Sequence, residues 1–73
     1  MEEKAARVFI CCMKRRDLIR HLKKQGCVLE REGGRHSIWI NPANGLIQAV
    51  PRHTEIGDFL AKGICKRLEI LLP

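Results

Sequence analysis

The side chains best suited to moving protons near neutral pH are the three histidines, His21, His36 and His53. An imidazole has an unperturbed pKa of about 6.5, so it can accept or donate a proton in that range. His36 follows Gly33-Gly34-Arg35, and His53 follows Pro51-Arg52. A glycine turn lets a side chain approach a charged backbone closely. His21 sits between Arg20 and Leu22 and reads as structural. On residue type alone, His36 is open between a proton-transfer group and a surface or packing residue. His53 is open between a proton donor, a phosphate ligand and a loop residue with no role.

Other chemistries find little support. The four cysteines are Cys11, Cys12, Cys27 and Cys65. Zinc ligands usually come as spaced pairs such as C-x-x-C, whereas here two are adjacent and two stand alone. They read as reduced packing thiols of a cytoplasmic protein, with Glu2 and Glu3 where a secretory leader would be positive. No P-loop or dinucleotide glycine pattern is present, and no Ser-His-Asp or Cys-His set has recognisable context. Asp17 and Asp58 are isolated, so there is no carboxylate cluster for two-metal chemistry. No metal and no small-molecule cofactor is expected.

The chain has 73 residues, with 14 basic against 8 acidic side chains and a net charge of +6. That length allows one domain with a thin core, so chemistry on a shallow groove suits a polymer better than a small metabolite. The positive bias attracts polyanions, nucleic acid first, then an acidic protein or a membrane surface; a merely solvated surface is the plain alternative. The apolar run Val8–Met13 is far short of the roughly 20 residues that cross a bilayer. It fits a short strand, an extra helical turn or a segment covered by a partner. Residues 1–12 read as an N-terminal extension of uncertain role, and 13–73 as the folded domain.

The elements that must position these groups follow from periodicity. Leu18, Ile19 and Leu22 form a helical stripe over Arg15–Gln25, with Arg15, Arg16, Arg20, Lys23 and Lys24 opposite and Gly26 as the stop. Lys24 is a candidate for contact with a nucleic-acid backbone. Cys27, Val28 and Leu29 open a strand to Glu32, and Gly33-Gly34 marks a turn. His36–Ile40 is a second strand, with Ile38 and Ile40 on one face and Trp39 on the other. Asn41–Gly45 is a turn, Leu46–Val50 a third strand and Pro51 its end. After a loop over 52–57, Asp58 is placed as an N-cap, and Leu60, Ile64 and Leu68 as a buried helical face. The expected class is α+β in the order α-β-β-β-α, a three-stranded antiparallel sheet with both helices on one face. That is the order of the double-stranded-RNA-binding domain.

Lys14-Arg15-Arg16-Asp17-Leu18-Ile19 with Gln25-Gly26 resembles the opening helix of the HicA toxins. Gly33-Gly34-Arg35-His36 is similar to the G-S-x-H turn of that family, and Val50-Pro51-Arg52-His53 to its V-P-R-H segment. Glu55-Ile56 and Ile64-Cys65-Lys66-Arg67-Leu68 resemble its closing helix. The resemblance spans about Met13–Ile70. Gly34 departs from the usual Ser or Thr, and Glu69 from the glycine that commonly ends the last helix.

The resemblance implies an endoribonuclease that cuts mRNA, blocks translation and is neutralised by a HicB-type antitoxin covering His36 and the basic surface. It implies that His36 is the catalytic histidine. RNA carries its own nucleophile, the 2′-hydroxyl, so a metal-free enzyme needs a proton acceptor, a donor for the leaving 5′-oxygen and positive charge at the phosphate. Arg35, Arg52, His53 and Lys24 are the candidate RNA-binding residues. Strand alternation would turn Arg35 away from His36 unless the turn twists it back. Two other readings stand beside this one: a non-catalytic RNA-binding module, and a domain whose charge serves only an acidic protein partner.

Overall fold

The computed structural model describes residues 12–73, so the expected extension apart from Cys12, most of the Val8–Met13 run and Cys11 lie outside the described residues. The elements are β1 (Cys12–Lys14), α1 (Arg15–Lys24), β2 (Val28–Glu32), β3 (His36–Asn41), β4 (Leu46–Pro51), β5 (Glu55–Gly57) and α2 (Asp58–Leu68). The antiparallel sheet runs β2-β3-β4, and both helices pack on one of its faces, as the sequence predicts. The segment read as a loop over 52–57 contains β5, which pairs antiparallel with β1, Met13 opposite Ile56. Three-residue strands are too short to show a periodicity.

Leu18 and Leu22 sit one helical turn apart on α1, and both are fully buried. They meet Trp39, Val50 and Ile56, together with Ala61, Ile64, Cys65 and Leu68 of α2. Each buried leucine or isoleucine contributes roughly 1.5–3 kcal/mol. The first amide of α1 would be unsatisfied, but Arg15 N–H donates to the Thr54 carbonyl at 2.7 Å. Gly26 stops the helix at φ +95, a conformation that a side chain would strain.

Two expectations for α2 are corrected. Leu60 is 42% exposed, and the buried stripe is Ala61, Ile64, Cys65 and Leu68, a face turned by one residue. The small Ala61 lets the helix approach β4 closely, which the leucine pattern hides. The N-cap is Gly57, with no side-chain cap; Asp58 is the first helical residue and pairs with Lys62 at 3.2 Å. A carboxylate in the first turn still favours the helix dipole.

On β3 the inward residues are Ser37, Trp39 and Asn41, while Ile38 and Ile40 lie on the outer face beside Ala49 and Ile47. The more apolar set therefore faces away from the helices. Ser37 and Asn41 are tolerated inside because they are hydrogen-bonded. Asn41 Nδ2 donates to the Leu68 carbonyl at 2.8 Å and so satisfies the end of α2.

Glu69 ends α2 in the left-handed conformation, φ 57 and ψ 48. This is the position where the resembling family carries glycine, and an L-residue there costs about 1–2 kcal/mol. Glu69→Gly is expected to raise stability by about 1 kcal/mol, read as a higher urea midpoint at unchanged slope. Burial also holds the Cys27 and Cys65 thiols above their usual range. Both should resist alkylation at neutral pH in the folded protein and react once it is unfolded in urea, which mass spectrometry would resolve.

Candidate functional site

The tight β2–β3 turn requires glycine. Gly33 N–H donates to the His36 carbonyl at 2.7 Å. A Cβ on Gly33 would lie 2.8 Å from that oxygen, closer than any side chain permits. Gly34 has open space around it, so a hydroxyl-bearing residue would fit there.

His36 follows, exposed at the start of β3 and opposite Pro51. Its neighbour Ser37 points inward, so the imidazole projects from the face that carries no helix. Gly34, Arg35, His36, Pro51, Arg52 and His53 line one open pocket of about 440 Å³. Four of the five residues expected from sequence are thus brought together. Arg35 lies in the turn before β3, outside the strand's alternation, and lines the same pocket as His36. Lys24 is placed apart, at the end of α1 that feeds Val28, whereas His36 lies at the other end of the β2–β3 hairpin.

The sequence did not reveal what fixes this pocket. Arg15 donates from Nε to the Pro51 carbonyl at 2.8 Å and from Nη2 to Ser37 Oγ at 2.7 Å. Ser37 Oγ in turn donates to Glu32 Oε1 at 2.9 Å. Arg52 forms an ion pair with the same Glu32 oxygen and donates from Nη2 to the Gly33 carbonyl at 2.7 Å. Glu32 reaches Ser37 because β2 carries a bulge between Leu29 and Arg31. The extra residue, Glu30, changes the side to which the following side chains point.

The Ser37 hydrogen bond, then the charge and hydrogen bond of Arg52 and the charge of Arg15, hold the Glu32 carboxyl below the usual carboxylate range against a smaller cost of burial. Arg52 is therefore anchored through Nε and Nη2, and it still lines the pocket. Arg35 is exposed and engages no carboxylate among the described residues. His21, read as structural, donates from Nε2 to the Leu71 carbonyl at 2.7 Å. Among the described residues, no three His, Cys, Asp or Glu side chains converge on a common point, and no helix is long and apolar enough to cross a membrane.

A folded carboxyl held below its unfolded value stabilises the protein above the unfolded pKa, and that stabilisation is lost as pH falls through the folded value. Wild-type stability should therefore drop on acidification below about pH 4, and Glu32→Gln should flatten that part of the curve. Ser37→Ala, which strips a fully buried hydroxyl from between Arg15 and Glu32, is expected to cost about 1–3 kcal/mol. Thermal melts across the pH range would test both.

No curated protein and no solved structure matches the chain. The model of one protein family, HicA toxin of bacterial toxin-antitoxin, matches residues 15–70, which contain every residue of the pocket and of the network behind it. That match spans well over half of the chain, and the chain belongs to the HicA toxin family.

Proposed function

We propose that this toxin is an endoribonuclease that cuts mRNA without a metal ion, with His36 as general acid or base. The observation that carries the reading is the convergence of His36, His53, Arg35 and Arg52 on one open pocket of a chain with net charge +6. The RNA 2′-hydroxyl attacks the adjacent phosphorus and the 5′-oxygen leaves. One proton must be taken from the nucleophile and one given to the leaving group, and an exposed imidazole can do either. Arg35, Arg52 and His53 are the groups that would hold the phosphate and its developing charge. Lys24 would touch the backbone further along the strand.

Membership of a toxin–antitoxin family implies an antitoxin partner. We take this partner to be a HicB-type protein that covers His36 and the basic surface, its acidic charge speeding association. The cytoplasm, where mRNA is translated, is the corresponding site of action.

The test is RNA integrity on a gel after incubation in EDTA, wild type beside His36→Ala. Cutting by the wild type should fall by at least about 100-fold in the variant, the usual scale for loss of a general acid or base. Intact RNA in both lanes with retarded mobility would overturn the enzyme reading and leave an RNA-binding module.

A further inference from the structure

The outward face of α2 carries Phe59, Lys62, Gly63, Lys66 and Arg67, spaced so that all five lie on one side of the helix. They line a shallow depression of about 340 Å³. Phe59 is 91% exposed, although nothing in the packing of the helix needs an aromatic there. The opposite side of α2, through Ala61, Ile64, Cys65 and Leu68, already supplies the core.

Gly63 is the second anomaly. Glycine inside a helix is disfavoured, and here φ is helical, so backbone freedom does not explain it. Its missing side chain leaves a notch one turn from Phe59, and the Arg67 guanidinium folds over that notch. A Cβ on Gly63 would stand 3.1 Å from Arg67 Nη1. An aromatic face, a gap and a planar cation therefore follow one another along the helix.

The chemistry that fits is a base with its phosphate. Unpaired bases stack on exposed aromatic rings in a sequence-tolerant way, while cations track the backbone. Trp39 is 4% exposed, so of the phenylalanine and tryptophan rings among the described residues only that of Phe59 lies open to solvent. Of the three cations only Lys62 has a carboxylate partner among the described residues, Asp58. We propose that this face of α2 is a single-stranded RNA site, in which a base stacks on Phe59 over Gly63 and Lys66 and Arg67 meet the phosphates. It rests on the reading of RNA as the substrate and adds a second point of hold, away from the His36 pocket. An unpaired strand is implied, because a stacked duplex offers no free base face.

The experiment is fluorescence anisotropy with a 5′-labelled oligoadenylate of about twelve nucleotides, within the usual single-strand site size. Full-length protein carrying His36→Ala is used so that the strand stays intact. Phe59→Ala and Phe59→Leu should weaken binding by at least about 10-fold, and Phe59→Trp should preserve it, because stacking rather than apolar bulk is required. Gly63→Leu, which fills the notch with a good helix former, should also weaken binding while holding or raising the melting temperature. Retained affinity in Phe59→Ala, equal loss in Phe59→Trp, or no binding by the parent would each overturn the site. Cutting of RNA by the His36 protein in EDTA is read separately, so a failed nuclease with Phe59-dependent binding sinks only the catalytic reading.

Discussion

The buried hydroxyl of Ser37 is the joint on which the functional edge of this domain depends. It accepts from Arg15 at the start of α1 and donates to Glu32 at the end of β2. Through Glu32 it reaches Arg52, and through Arg15 it reaches the Pro51 carbonyl. Four segments, the start of α1, the end of β2, the start of β3 and the end of β4, are thus tied behind the turn that carries His36. Surface ion pairs usually contribute little, and the half-exposed Arg52–Glu32 pair alone would hold nothing firmly. Its value here comes from sharing a carboxylate with a fully buried donor, which gives the network one arrangement rather than several.

This explains how so small a core can hold a precise site. The apolar cluster fixes α2 against β4 and the two leucines of α1 against Trp39, but none of its buried residues comes from β2. The β2–β3 turn would otherwise be fastened only by the strand ladder. Polar bonds take over where apolar contact runs out. A rigid inner side and an open outer side then meet across one strand, with Ser37 inward and His36 outward as neighbours in the chain.

Much of this was legible in the sequence, for physical reasons that differ by residue. Leu18 and Leu22 repeat at helical spacing, Gly33-Gly34 announces a turn, and Pro51 ends a strand, so the order of elements follows from local rules. The gathering of Arg35, His36, Arg52 and His53 followed from the resemblance, and from the pairing of β3 with β4 that sets Pro51 opposite His36. Three things were hidden. Ser37 looks like any strand serine, and only its distant partners make it structural. Leu60 outranks Ala61 in hydrophobicity, yet close helix–sheet packing favours the smaller side chain. The pairing of β1 with β5 is a long-range contact between segments too short to carry a pattern.

The bulge on β2 has a consequence for inheritance. Because it holds one residue more than the partner strand, it decides which of the residues after Leu29 face the helices. Loss of the single codon for Glu30 would leave every functional side chain in the gene unchanged. The strand would then pair without a bulge, with Arg31 still opposite Ile38 and Glu32 still opposite Ser37, so the carboxylate would keep its place. The irregularity therefore absorbs one residue without altering phase, and this stretch can lose the codon for Glu30, whereas closing the bulge with Glu30 kept would bring Arg31 instead of Glu32 opposite Ser37.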